Sequence, residues 1–394
     1  MFQRRQSRLA PRVVHMTSAH SAFDSRIFYK ECVSLSRAGY DVIELTNQPE
    51  NAVRNGVQVR GLGRSRSRVH RVLKSCNMLR TALRLDGDVY HFHDPELLVC
   101  GVLLRLCGKS VIYDIHEDLP RTLSYKRYIP AAIRPVAAIV IEVLEDLAAA
   151  CMSGLVAATP TIAKRFQWLN RHTCVVSNFP LKDELVTETR VEWQARENAV
   201  AYIGGIAEER GIRELLSAIA QCSSSPAPEL HLAGRWTDEA LQQELQQRIA
   251  WQRVRWHGML DRVGVRDLLS RVRVGLVVLH PERNFVVSQP IKLFEYMAAG
   301  IPVIASDFPL WRQIIGGAGC GLLVDPAKSQ EIASAIDYLL THPREAEAMG
   351  HRGRLAIEER FNWRHEEATL LGLYRKLIGA AAPAMAIEGS RAEA

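Results

Sequence analysis

No two of the eight cysteines stand at C-x-x-C spacing; they are scattered at positions 32, 76, 100, 107, 151, 174, 222 and 320. Scattered thiols in a chain of 394 residues argue against a disulfide framework and against a cysteine zinc site, and favour a reducing compartment. No run reaches the roughly 18 apolar residues that a membrane-spanning helix needs. The nearest, Ile129 to Met152, is broken by Arg134, Glu142, Glu145 and Asp146. The opening MFQRRQSRLAPR has positive charge with no apolar core behind it, so no secretory signal is expected there. There is no repeat of solenoid length, no dinucleotide G-x-G-x-x-G fingerprint and no nucleic-acid-binding motif, so a nucleic-acid partner is not expected.

What is present has the balance of a soluble globular protein, with 47% apolar and 24% charged residues. At roughly 150 residues per domain the length suggests two domains. The net charge of +7 is uneven. Residues 1–185 hold 26 basic against 17 acidic side chains, and residues 186–394 hold 24 against 26. A basic half beside a nearly neutral one predicts an anionic ligand or surface for the first half.

Short β-branched runs alternate with longer amphipathic ones. Strands are predicted at Arg12–Thr17, Asp41–Leu45, Val57–Gly61, Asp88–His91, Ser110–Asp114, Leu155–Ala158 and Thr173–Val176, with helices at 24–38, 68–85 and 95–107. The composition turns polar over 181–197. The pattern then restarts with strands at Ala199–Ile203, Glu229–Ala233, Val254–Trp256, Val274–Leu279, Pro302–Ala305 and Gly321–Val324. Helices are predicted at 211–221, 237–250, 263–270, 290–299 and 330–340, then at 345–360 and 363–378. Strand and helix in steady alternation imply an α/β fold of two doubly wound Rossmann-like domains facing a central cleft, with ligands at the C-terminal strand ends. The expected division is 1–185, 186–360, a helix over 361–380 crossing back to the first domain, and a flexible tail over 381–394.

Two stretches carry phosphate-binding chemistry. YIGGIAEERG, residues 202–211, reads as a strand, a Gly204-Gly205 turn, an acidic loop and Arg210-Gly211 opening a helix. Glycines admit a ligand to the backbone, a helix start offers free amides, and arginine pairs with phosphate. SQPIKLFEYMAAGIPVIASD, residues 288–307, puts Pro290 in the first turn of a helix, Lys292 near its start and Glu295 three residues on. A lysine there opposes the helix dipole, and a bound phosphate would resolve the conflict.

These stretches resemble the C-terminal signature of retaining nucleotide-sugar glycosyltransferases of GT-B fold, family 4, in the subgroup with a Lys-Leu-Phe-Glu-Tyr-Met core. The resemblance implies that Ser288, Gln289, Pro290, Ile291 and Lys292 hold the donor diphosphate, and that Glu295 holds the ribose. It implies that Arg210 is the basic phosphate contact; His257-Gly258, directly after the strand at Val254–Trp256, reads by its position as a loop near the base. Gly205 stands where many members carry arginine. Val287 stands where many carry a further glutamate. In the first half, HSAFDSRIFYKE (20–31), DVYHFHDPE (88–96) and YDIHEDLP (113–120) resemble the cleft-lining segments of the subgroup. They bring in Asp24, Arg26, His93, Asp94, His116 and Glu117 as acceptor-side residues, with His116 as the active-site histidine. Asp24 is also a good helix cap. VVSNFP from Val175 and FNWRHE from Phe361 resemble the interdomain segments.

The resemblance implies transfer of a sugar from a nucleotide diphosphate sugar, UDP-sugar favoured, to a hydroxyl of a saccharide or lipid-linked saccharide. The anomeric configuration is retained, with no metal and no cofactor. His116, Arg210, Lys292 and Glu295 form the expected catalytic set, and the expected setting is cell-surface polysaccharide synthesis in the cytoplasm, at the inner face of the membrane. A nucleotide-sugar epimerase, a phosphorylase and a non-catalytic nucleotide-binding partner are the alternatives; Val287 and Gly205 favour the last. Asp86-Gly87-Asp88 has the Asp-x-Asp spacing of metal-dependent transferases but precedes its strand, so it reads as a turn. Residues 64–84 hold seven basic side chains and no acid, and 121–134 are similarly basic; both are candidate contacts for an anionic membrane.

Overall fold

The computed structural model describes residues 10–63, 68–123, 130, 132–181, 192–379 and 382–383. Most of the polar stretch at 182–191 and of the expected tail at 384–394 lies outside the described residues, as do 64–67 and 124–129. The chain divides into two compact units, residues 1–177 with 366–394, and residues 178–365.

The first unit is built on β1 (Arg12–Thr17), β2 (Asp41–Thr46), β3 (Asn51–Arg54), β4 (Val57–Gly61), β5 (Val89–Phe92), β6 (Ser110–Ile115), β7 (Gly154–Ala157) and β8 (Thr173–Val175). They form one sheet in the order β3-β4-β2-β1-β5-β6-β7-β8. All pairs are parallel except the β3–β4 hairpin, where β3 lies at the edge. The hairpin turns on Asn55-Gly56, both at positive φ, as a tight two-residue loop requires. Inner strands such as RVVHMT and SVIYDI are almost wholly buried, as expected for parallel strands covered on both faces. Strand order reverses between β1 and β5, so a crevice opens at their C-terminal ends.

The second unit is built on β9 (Ala199–Ile203), β10 (Glu229–Ala233), β11 (Val254–Trp256), β12 (Val274–Val277), β13 (Val303–Ser306) and β14 (Gly321–Val324). All six are parallel, in the order β11-β10-β9-β12-β13-β14, the doubly wound order with its switch point between β9 and β12. The helices at Ile212–Gln221, Ile291–Ala298, Pro309–Ala318 and Ser329–Thr341 pack their apolar faces into one core that includes Trp311, Tyr296 and Phe294. The helix at Pro309–Ala318 is absent from the sequence expectation.

Candidate active site

In the second unit the donor-type residues converge where β9 ends. Gly204 has φ +130°, and a Cβ built on it would lie 3.5 Å from Lys292 Nζ. A Cβ on Gly205 would lie 3.9 Å from the Arg210 guanidinium. Two glycines thus leave bare backbone beneath two cations. Lys292 is the second residue of the helix Ile291–Ala298, whose start is set by Pro290. Its ammonium is buried, lies 3.5 Å from the centre of the Tyr202 ring, and has no hydrogen-bond partner. Burial, reinforced by the charge of Arg210, pulls its pKa well below the ordinary lysine value. Arg210 stands 5.5 Å over the Phe285 ring. An anion placed here would meet two cations and the glycine backbone.

Glu295 is buried one turn along the same helix and takes a 2.5 Å hydrogen bond from Arg262. Its neighbour Tyr296 accepts from the Ile203 amide at 2.9 Å, which ties the helix to the end of β9. Ser288 donates to the Phe285 carbonyl, and its own carbonyl accepts from Trp311 Nε1. Gln289 has a buried side-chain oxygen without a partner.

A cavity of about 490 Å³ opens beside the glycines, lined by Ile203, Gly204, Gly205, Gly234, Met259 and Leu260 among others. His257 and Gly258 lead directly into this wall: the His257 amide donates to Leu232, and the Gly258 carbonyl accepts from Gly234. Gly234, at φ +143°, is required by contact, because a Cβ there would fall 1.9 Å from the Gly204 carbonyl oxygen. Gly234, Tyr202 and Arg262 escaped the sequence reading. A glycine directly after strand β10, repeating the one after β9, was the available signal for Gly234.

In the first unit the crevice between β1 and β5 holds a buried polar cluster centred on Asp114 of β6. Arg26 makes two hydrogen bonds to its carboxylate, at 3.1 and 2.9 Å. His116 Nε2 lies 2.8 Å from it and His93 Nδ1 3.1 Å. Burial alone would raise the Asp114 pKa, but Arg26, His116 and His93 hold it well below the carboxylate range. His93 is held neutral, down to about 4, chiefly by burial. His93 Nε2 is 2.9 Å from His15, and Tyr374 OH bridges His91 at 2.8 Å and His15 at 3.2 Å. Asp94 accepts from Thr17 Oγ1 and the Ser18 amide, and pairs with His20 at 3.2 Å. Against the pull of burial, these partners keep its pKa low.

Asp24 accepts from the amides of Arg26 and Ile27, opening a π-helix at Ile27–Cys32. The wide turn sets Glu31 beside Arg26, 3.0 Å from Nε, although that N–H points to Asp114. Neither Glu31 oxygen has a hydrogen bond, and burial with the Asp114 charge pushes its pKa well up. Glu117 is exposed at the rim. Asp114, Glu31, His15, His91 and Tyr374 were not singled out in the sequence; a single acid in the apolar run SVIYDI was the signal for Asp114.

Two groups offer ligand atoms within 4.8 Å of one another, His15-Glu31-His91-His93 and His93-Asp114-His116, a donor set compatible with a divalent metal. Asp86-Gly87-Asp88 forms a turn, with Asp88 accepting from the Arg12 amide.

Residues 187–356 match the family model described as Glycosyl transferases group 1. Over 192 residues the chain is 26% identical to the MMP alpha-(1->4)-mannosyltransferase of Mycolicibacterium hassiacum, a match covering 48% of this chain and 45% of that protein. The chain spans about half the length of the curated relatives it matches first. Among solved structures, the sucrose-phosphate synthase of Thermosynechococcus elongatus is similar with a TM-score of 0.71 at 19% identity, over 94% of this chain and 100% of that one. Anabaena HepE in complex with UDP and glucose gives 0.70 at 13% identity, over 93% and 100%. With two Rossmann-like units and these structural likenesses, the fold is GT-B, and the stretch matching the Glycosyl transferases group 1 model spans all six strands of the second sheet.

Proposed function

We propose that the protein is a retaining, metal-independent glycosyltransferase of the family 4 type, moving a sugar from a nucleotide diphosphate sugar to a hydroxyl of a saccharide or lipid-linked saccharide. One observation carries this reading: a buried ammonium without a partner, Lys292, faces bare glycine backbone beside Arg210. A cation kept in that state is costly unless an anion joins it. The donor diphosphate is that anion, and Glu295 takes the ribose once Arg262 yields. The 490 Å³ cavity takes the base. In the transfer step the acceptor oxygen bonds to the anomeric carbon as the bond from that carbon to the diphosphate oxygen breaks on the same face. The acceptor proton passes to the leaving diphosphate. Arg210 and Lys292 stabilise the charge that develops there. We assign the His116–Asp114–His93 cluster to the acceptor side, and cell-surface polysaccharide assembly as the setting.

UDP is the first nucleotide to try, since the similar Anabaena HepE is in complex with it. The test is a thermal-shift and calorimetric screen against UDP, GDP, ADP and dTDP with wild type, Lys292→Ala and Glu295→Gln. The expected result is stabilisation by one nucleotide, weakened in both variants, followed by turnover of a sugar on that base. Binding without turnover on any acceptor favours a non-catalytic partner, a reading that Val287 and Gly205 support. Absence of binding to every nucleotide overturns the donor site.

A further inference from the structure

Strand register brings three histidines together inside the first unit. His15 of β1 pairs with His91 of β5, and His93 lies two residues further on, so the three rings share one face of the sheet. Their centroids lie 4.6 Å apart for His15 and His91, 4.7 Å for His91 and His93, and 5.1 Å for His15 and His93. All three are buried, and burial pulls each pKa below the ordinary 6.5. Each ring is therefore neutral and carries one N–H.

With Tyr374, on the helix Trp363–Ile378, the rings form an unbroken chain of short contacts. Asp114 Oδ2 lies 3.1 Å from His93 Nδ1, and His93 Nε2 lies 2.9 Å from His15 Nδ1. His15 Nε2 lies 3.2 Å from the Tyr374 hydroxyl, which lies 2.8 Å from His91 Nδ1. Glu31 stands 4.0 Å from His91 Nδ1 and from His93 Nε2, beyond hydrogen-bond reach, and takes no link. A ring that donates from one nitrogen accepts at the other, so the chain has two self-consistent directions. In one, His93 donates to Asp114, His15 to His93, Tyr374 to His15, and His91 to Tyr374. In the other every link is reversed, and His93 Nδ1 turns a lone pair on the Asp114 carboxylate. That carboxylate is the ionised partner of Arg26, which makes two hydrogen bonds to it. The reversed chain also puts an N–H on His91 Nε2, which is buried with no acceptor to meet it. Both costs select the first direction. The chain ends blind at His91, so it orients groups and delivers no proton to solvent.

We propose that Tyr374 and His15 are positioning residues: they lock His93 as its Nδ1–H tautomer, aimed at Asp114, and so hold the carboxylate that orients His116. Asp114 Oδ2 takes His93 and His116 together, at 3.1 and 2.8 Å. The two ring nitrogens are 3.3 Å apart, as two donors on one acceptor. With Nε2–H committed to Asp114, His116 keeps Nδ1 for the acceptor hydroxyl. That last role rests on the glycosyl-transfer reading; the direction of the chain does not.

Histidine-ring NMR on the full chain, labelled with 15N-histidine, tests the direction. Transfer kinetics beside UDP affinity test the consequence. In wild type the His15, His91 and His93 signals, assigned by single substitution to Gln, are expected to show a protonated Nδ1 and a bare Nε2. Tyr374→Phe removes the hydroxyl and keeps the ring. It should shift or broaden the His93 and His116 ring signals and lower the transfer rate about tenfold. UDP affinity should hold, because the donor residues belong to the other unit. His15→Leu should do the same. His15→Asn sets an amide N–H where Nδ1–H stood, and should restore the His93 signal and bring the rate to within about twofold of wild type. A protonated Nε2 on any of the three wild-type rings overturns the proposal. So does His15→Asn behaving as His15→Leu does, or Tyr374→Phe keeping both the His93 signal and the rate. If wild type turns over no acceptor, the transfer reading fails, while the ring signals still decide the chain.

Discussion

The Lys292 ammonium stands 3.5 Å from the centre of the Tyr202 ring, closed off from solvent and without a hydrogen-bond partner. Its cost to the folded state has a definite sign. Burial lowers its pKa, so the unfolded chain holds this proton where the folded one gives it up. The contribution of this group to stability therefore rises with pH toward the ordinary value of 10.5. Lys292→Met is expected to stabilise the nucleotide-free protein by about 1 to 4 kcal/mol near neutral pH, with the gain shrinking as pH climbs. The same variant should lose nucleotide binding. Chemical denaturation across pH, with calorimetric titration, reads both.

Glu295 and Arg262 share a short ion pair. If Glu295 takes the ribose, its charge must be free to do so. Glu295→Gln is expected to weaken nucleotide binding by about 1.5 to 3 kcal/mol, the worth of a hydrogen bond to a charged group. Arg262→Ala should leave affinity equal or tighter, because it removes a competitor. Isothermal titration compares the two; a loss of affinity in Arg262→Ala would show that arginine to be a ligand contact instead.

Gly234 cannot accept a side chain, since its Cβ would meet the Gly204 carbonyl at 1.9 Å with φ at +143°. Gly234→Ala is expected to cost the second unit about 3 kcal/mol or more. It should also abolish nucleotide binding, because the Gly204 backbone must shift. A melting curve followed by tryptophan fluorescence reports on this unit, which holds Trp236, Trp251, Trp256 and Trp311.

Glu44, inward on β2, has no partner for either oxygen, and burial with the Asp24 charge pushes its pKa up to about 9. The folded chain keeps its proton at neutral pH while the unfolded chain releases it. This group therefore withdraws stability as pH rises from 4.5 through 9. Glu44→Gln should flatten the stability–pH curve across that window, measurable by urea unfolding at fixed steps of pH.

His116 lies 2.8 Å from Asp114, which fixes the ring. His116→Asn is expected to lower the transfer rate by about 100-fold or more. The nucleotide Kd should stay unchanged, because the donor residues belong to the other unit. Single-turnover kinetics beside equilibrium binding separates the two quantities; a matching loss in both would remove His116 from the acceptor side.

Thirteen of the fourteen strands were legible as short β-branched or apolar runs, the inner ones because parallel strands are buried on both faces. The exception, β3, has exposed positions and no such run. Its signal was the Asn55-Gly56 turn instead. The helix Pro309–Ala318 is also marked only at its ends, by Pro309 and Gly319. Lys292 and Arg210 could be picked out since a lysine at a helix start and an arginine beside glycines are locally anomalous, whereas Glu295 was marked only by the family resemblance. Arg262 could not: a surface-type arginine shows its role only through Glu295, 33 residues away. Likewise, Asp114 draws its partners from positions 26, 93 and 116, which no local window joins.

The first unit is interrupted in sequence. Its chain stops at Ser177 and resumes at Glu366, where the Glu366 carboxylate takes the Ser177 amide at 2.6 Å. Tyr374, eight residues on, is the hydroxyl that satisfies both His91 and His15. During synthesis the ribosome has therefore delivered the whole second unit before it releases the residue that completes the first. Until then two ring nitrogens at the heart of the older unit lack their partner. The domain begun first is the one finished last, and a nascent chain halted between residues 365 and 374 carries one closed unit and one open one.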